Sequence, residues 1–192
     1  MIRLHAFVAA IFALLVPSAW AGMADNLTDG QHVLLMRHAD APGVGDPPGY
    51  RLDDCATQRN LGDKGRREAA QVGTWLAKQG VTSALVLSSA WCRCQDTARL
   101  LDKGPVTVEK ALGSFFGDMS QQRAQNAALT ELVRATLAAN PRKPVILVTH
   151  HVNIEAYTGK VLGAGDLVLV KVDRAGRPAS HAVFPLSEIL RP

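Results

Sequence analysis

Apolar residues alternate along the chain between short continuous runs and helical spacing, which predicts strands interleaved with helices around a buried, mostly parallel sheet. The runs His32-Val33-Leu34-Leu35-Met36, Ala84-Leu85-Val86-Leu87 and Val145-Ile146-Leu147-Val148 are short and lack polar alternation, as strands covered on both faces do. Between them, Ala69, Val72, Gly73 and Leu76 recur at helical spacing within residues 64–79, and Gly80 stops the segment. Leu129, Leu132, Val133 and Leu137 repeat that spacing ahead of Asn140-Pro141. Residues 166–172 and 180–184 flank Arg174-Ala175-Gly176-Arg177 and read as two strands joined by a turn at one sheet edge. The expected fold class is α/β, a three-layer αβα sandwich with a mixed, mainly parallel central sheet. Residues 40–60, with Pro42, Gly43, Gly45, Pro47, Pro48 and Gly49, have no periodicity and are too long for a mere connection, so a functional loop is expected there.

The first 21 residues carry a different pattern. Arg3 and His5 precede an apolar run from Ala6 to Val16, and Pro17-Ser18-Ala19-Trp20-Ala21 ends in a small-x-small cleavage site. That reads as a signal peptide over residues 1–21, with residues 22–192 as one catalytic domain that is periplasmic or secreted. The run is too short to span a bilayer and no cysteine follows it for lipid attachment, so no stable membrane anchor is expected after cleavage. A formal charge of +4 over 192 residues, without a polybasic run, disfavours nucleic acid as a partner, as does an aromatic content of 5%.

The chemistry-bearing residues fall where the predicted strands end. Arg37-His38 follows the first, Ser88-Ser89 leads to Arg93 after the second, and Thr149-His150-His151 follows the third. Ligands of open α/β sheets bind at the carboxyl ends of strands, so these clusters are expected to converge on one crevice. Two arginines and two histidines without a nearby carboxylate cluster describe a pocket for a compact dianion, and guanidinium forks match phosphate oxygens in particular. Adjacent His150 and His151 lack a matching acidic or Cys/His set, so neither a metal nor another cofactor is expected.

The ordered strings Leu35-Met36-Arg37-His38-Ala39, Asn60-Leu61-Gly62-Asp63-Lys64-Gly65, Ser88 to Ala98 and Val148-Thr149-His150-His151 resemble the histidine phosphatase, or phosphoglycerate-mutase-like, superfamily. The resemblance implies a phosphatase that forms and then hydrolyses a phosphohistidine on His38. It also implies that Arg37 and Arg93 bind phosphoryl oxygens and that His150 closes the pocket. Arg59, at the end of the polar loop, is a further substrate-binding candidate, and neighbouring Gln58 is considered with it. A carboxylic acid is needed to protonate the leaving oxygen and then to activate water. Asp118 in Ser114-Phe115-Phe116-Gly117-Asp118 is the expected donor, with Glu109 the alternative. Ala39 and His151 stand where the family often has glycine, and its asparagine shortly after the nucleophile is absent, which speaks against phosphoglycerate chemistry. The expected substrate is a small phosphomonoester, for which a cell-envelope sugar phosphate is one candidate and a phosphorylated protein histidine another. The opposing reading is a non-catalytic phosphoryl-binding module with a degenerate site.

Cys55, Cys92 and Cys94 allow three pairings. If Arg93 begins a helix, Cys92 and Cys94 point about 200° apart and cannot pair with each other. Cys94 shares a face with Ala98 and Leu101, while Cys92 faces the polar side, so a Cys55–Cys92 bond tying the long loop to the pocket rim is expected.

Overall fold

The computed structural model describes residues 22–191, and the predicted signal peptide over residues 1–21 lies outside them. In chain order the elements are α1 (Met23–Leu27), β1 (His32–Arg37), α2 (Asp63–Lys78), β2 (Leu85–Ser88), α3 (Cys92–Leu100), β3 (Val106–Val108), α4 (Gln122–Ala139), β4 (Val145–Thr149), α5 (His151–Thr158), β5 (Leu167–Val172), β6 (Pro178–Phe184) and α6 (Leu186–Ile189). The sheet runs β3-β2-β4-β1-β5-β6, with β3, β2, β4 and β1 mutually parallel and β5 antiparallel to both its neighbours. The three predicted apolar runs are thus adjacent central strands, and the C-terminal pair forms the edge hairpin. The sequence pattern missed β3, whose three residues are too few for any period to show.

Side-chain alternation on the strands produces the two cores. Leu34, Met36, Val86, Ile146 and Val148 pack on one face against Val72 and Leu76 of α2 and Cys94 and Ala98 of α3. Val33, Leu35, Leu87, Leu147 and Val168 pack on the other against Leu129, Val133 and Leu137 of α4 and Ile154 of α5. Both faces being covered explains why the central strands carry no polar alternation.

Register brings the strand ends level. Arg37 stands opposite Thr149, and Ser88 opposite Val148, so the residues following β1, β2 and β4 emerge at one edge of the sheet. The loop between β1 and α2 crosses that edge and holds a short 3-10 turn over Cys55–Thr57 and an isolated bridge between Arg51 and Asp54. Its start is pressed against α2: a Cβ built at Gly65 would lie 2.0 Å from the Asp40 carbonyl oxygen. Gly65→Ala must therefore move either the helix or the segment following His38. The expected outcome is a loss of roughly 2 kcal/mol or more in a denaturant melt, as for other overpacked sites.

Candidate active site

His38 is the first residue after β1 and is almost completely buried. Its N–H donates to the Thr149 carbonyl at 3.0 Å, and the N–H of Ala39 donates to Thr97 Oγ1 at 3.0 Å, so the backbone is fixed on both sides of the ring. Nδ1 lies 2.9 Å from the Ala39 carbonyl, which can only accept, so Nδ1 carries the proton. Nε2 then keeps its lone pair, in agreement with the Arg93 Nε–H donating to it at 3.3 Å. Burial, followed by the charges of Arg93, Arg59 and Arg37, pushes the imidazole pKa down to about 3, although the Ala39 hydrogen bond opposes this. At neutral pH His38 is an uncharged ring whose Nε2 is unprotonated, as a nucleophile requires.

Around it lies a cavity of about 600 Å³. Arg37, Arg59, Arg93, His150 and His151 line it together with His38, so the predicted cationic residues do converge. Arg37 is anchored through Nη1 to the Leu162 carbonyl at 2.7 Å, whereas its buried Nε has no partner among the described residues. A buried donor without an acceptor is costly. A phosphoryl oxygen would satisfy it.

Arg93 enters from the first turn of α3 with its side chain 4% exposed, and its charge is met by Asp46 from the long loop, itself 7% exposed, at 2.8 Å. Asp46 also accepts from the Arg59 backbone N–H at 3.0 Å and from Trp91 Nε1 at 3.0 Å. Burial alone would raise the Asp46 carboxyl, but these hydrogen bonds and the Arg93 charge hold it below its usual range. It is an ionised acceptor that orients Arg93. Arg59 donates to the Gly45 carbonyl at 2.8 Å and to the Ala41 carbonyl, so it braces the loop while facing the cavity. The Cys55–Cys92 disulfide ties this loop to the start of α3, as expected from the helix geometry.

His150 immediately precedes α5, with Nε2 2.9 Å from Ser89 Oγ. Burial, with the neighbouring His38 and Arg93, lowers its pKa well below the ordinary value. The ring stands edge-on to His38 at a centroid distance of 5.5 Å and to Trp91 at 5.1 Å. Cys94 is a free thiol against His150, and burial raises its pKa to about 12, so it remains a neutral packing group. His151 also lines the cavity, its ring 5.5 Å from that of Phe116. The bend from β4 into α5 lets both histidines face one space, where a continuing strand would have separated them. Among the described residues no group of three His, Cys, Asp or Glu is arranged to hold a metal ion.

The expected proton donor is not in this cavity. Asp118 lies at the start of the 3-10 turn Met119–Gln121, fully exposed, where hydrogen bonds from Ser120 and then Gln121 lower its pKa. Its carboxylate is occupied in closing a local turn, a common use of Asp at such a position. The alternative, Glu109, precedes another 3-10 turn at the end of β3 and is likewise absent from the cavity wall. Gln58 is structural: Oε1 accepts from the Cys92 N–H at 3.0 Å and Nε2 donates to the Arg51 carbonyl. The carboxylates that do line the cavity are Asp40 and Asp46. Their signal was present, since both lie in the long loop set apart by its composition, but distance in sequence from Arg93 concealed Asp46. Among the described residues Asp40 makes no side-chain hydrogen bond.

The model for the histidine phosphatase superfamily (branch 1) matches residues 33–130. The chain belongs to the histidine phosphatase superfamily. Solved structures with the same fold include a mycobacterial glucosyl-3-phosphoglycerate phosphatase complexed with VO3, 16% identical over 80% of this chain and 97% of that one, with a TM-score of 0.59. The protein histidine phosphatase SixA complexed with tungstate is 19% identical over 82% of this chain and 99% of that one, with a TM-score of 0.59. Phosphoserine phosphatase from Entamoeba histolytica, in complex with 3-phosphoglyceric acid, is 14% identical over 78% of this chain and 95% of that one, with a TM-score of 0.57. No curated protein matches the sequence. In this superfamily member the long loop, through Asp46 and Arg59, is part of the pocket wall.

Two outcomes follow from the site. The pKa values of His38 and His150 are lower folded than unfolded, so the unfolded chain binds more protons below pH 6.5. Stability from the two neutral rings is full above pH 6.5 and is lost as pH falls below it, for His38 down to about pH 3 and by up to on the order of 1 kcal/mol per pH unit, with His150 adding in the same direction. Denaturant melts between pH 7 and 4 should show this slope, reduced in His38→Asn; a pH-independent midpoint would contradict the burial argument. Reducing the Cys55–Cys92 bond releases a loop closed over a sequence separation of 37, at a cost of about 4 kcal/mol. Calorimetry on reduced protein should show weaker phosphate binding, because Asp46 and Arg59 lose their fixed positions.

Proposed function

We propose that the protein is a metal-independent phosphatase that hydrolyses a phosphomonoester through a covalent phosphohistidine on His38. The observation that carries this reading is the neutral, oriented Nε2 of His38 beside Arg93 in an arginine-lined cavity. Nε2 attacks phosphorus and the phosphorus–oxygen bond to the substrate alcohol breaks. The new phosphoimidazole keeps its Nδ1–H on the Ala39 carbonyl, which stabilises the positive charge the ring acquires. Arg37 and Arg93, with Arg59 behind them, offset charge on the equatorial oxygens, the part a divalent cation plays in other phosphoryl-transfer sites. Water then breaks the phosphorus–nitrogen bond, releasing phosphate and restoring Nε2. His150, held from behind by Ser89 Oγ at 2.9 Å, forms part of the remaining wall.

The leaving oxygen takes up one proton in the first step, and the attacking water gives one up in the second. Asp40 is our candidate for both transfers, since it lines the cavity two residues from His38 with a carboxylate uncommitted among the described residues, whereas Asp46 is held by Arg93 and Trp91. Asp40→Asn is expected to slow phosphorylation by an alkyl phosphate roughly 100-fold and by an aryl phosphate with an acidic leaving group much less. Equal slowing of both would remove Asp40 from the proton-transfer role.

We also infer export to an oxidising compartment. The charged, apolar and small-residue pattern of residues 1–21 supports it, as does the Cys55–Cys92 bond, because such bonds persist outside the cytosol. There a cell-envelope sugar phosphate is a candidate substrate. The direct test of activity is phosphate release from an aryl phosphate by purified residues 22–192 with chelator present, beside His38→Ala. Chelator-resistant turnover that falls at least about 1,000-fold in the variant is expected. Tight phosphate binding without any turnover would instead favour a phosphoryl-binding module.

A further inference from the structure

A second cavity, of about 660 Å³, opens beside the phosphoryl pocket and shares Tyr50, Trp91, Ser114 and Gly117 with it. Its own wall adds Leu52, Ala90 and Phe115, with Lys110 and Asp118 supplying one charge of each sign. All three arginines belong to the phosphoryl cavity, so this neighbouring space offers no excess of positive charge to a second anion.

Exposed apolar surface concentrates at the same place. Of the eight strongly exposed large apolar side chains among the described residues, Val44, Tyr50, Leu52 and Phe116 all line one of these two cavities. Tyr50 and Trp91 stand with ring centroids 6.1 Å apart on their shared wall, and Trp91 is fixed by its indole N–H on Asp46. Apolar area gathered at the mouth of a polar pocket marks a binding surface rather than chance exposure. The loop that carries Tyr50 and Leu52 is held by the Cys55–Cys92 bond and by Gln58, so the groove is built in advance of binding.

We propose that this groove is the leaving-group subsite, and that it selects phosphomonoesters whose alcohol portion is an uncharged ring with an apolar face, not one bearing a second anionic group. The inference rests on the phosphatase reading for the position of the phosphoryl group, and concerns only what is attached to it. An aryl ring and the C–H face of a sugar ring share the required chemistry. Asp118, fixed on the groove wall by Ser120 and Gln121, adds a negative charge there that disfavours a second anionic group.

The test uses phosphonates, whose phosphorus–carbon bond is not hydrolysed, so binding is read independently of turnover. Calorimetry on the oxidised protein, residues 22–192, compares methylphosphonate, benzylphosphonate, a hexose phosphonate and phosphonoacetate. A ring-bearing probe should bind roughly tenfold more tightly than methylphosphonate, and phosphonoacetate should show no such gain. Leu52→Ser changes a loop side chain that lines the groove but not the phosphoryl cavity, and should cut that gain to about threefold. Whether benzyl or hexose gains more identifies the source of the ring. Equal affinity of ring-bearing and methyl probes, a gain untouched by Leu52→Ser, or a preference for phosphonoacetate would overturn the subsite. Failure of methylphosphonate itself to bind would overturn the phosphoryl pocket, and with it the reading on which the subsite rests.

Discussion

The site depends on gathering three guanidinium groups around one buried imidazole without protonating it. Desolvation does most of this, because a charged ring would lose its water within the protein interior. The arginines strengthen the effect by repelling a second positive charge while attracting a phosphoryl dianion. Such a cluster would repel itself if left unbalanced. Asp46 supplies the counter-charge, bound to Arg93 and beside Arg59. The loop that delivers Asp46 must therefore be held down, and the disulfide, Gln58 and Arg59 all act on that loop.

Much of this was legible in the chain, for physical reasons that differ from residue to residue. The apolar runs at Leu34, Val86 and Ile146 identify central strands because both sheet faces are covered, and strand register then makes the residues after Arg37, Ser88 and Thr149 neighbours. The Cys55–Cys92 pairing followed from the angular separation of Cys92 and Cys94 on a helix. The carboxylates were harder. Asp118 lies in the segment where the family resemblance leads one to expect a proton donor, but a local turn captured its side chain, and turn chemistry of that kind competes with function for every exposed Asp. Asp46 lies in the loop that composition sets apart, but its partners Arg93 and Trp91 are far away in sequence and adjacent only when folded, so its particular role was concealed.

The same loop connects chemistry with specificity. One side of it braces the phosphoryl cavity through Asp46 and Arg59, and the other presents Tyr50 and Leu52 to the neighbouring groove. A fixed central sheet with a loop over its strand ends separates the residues at the strand ends from those the loop presents.

The central claim is covalent: phosphorus becomes attached to Nε2 of His38. Rapid acid-free quenching after mixing with an aryl phosphate, followed by tandem mass spectrometry and phosphorus NMR at alkaline pH, tests it most directly. The account predicts a single acid-labile phosphoryl group on the peptide containing His38, attached at Nε2 and formed at a rate no slower than turnover. Phosphate release without any phosphorylated imidazole on that kinetic path, or with the label on His150 or His151 instead, would contradict it.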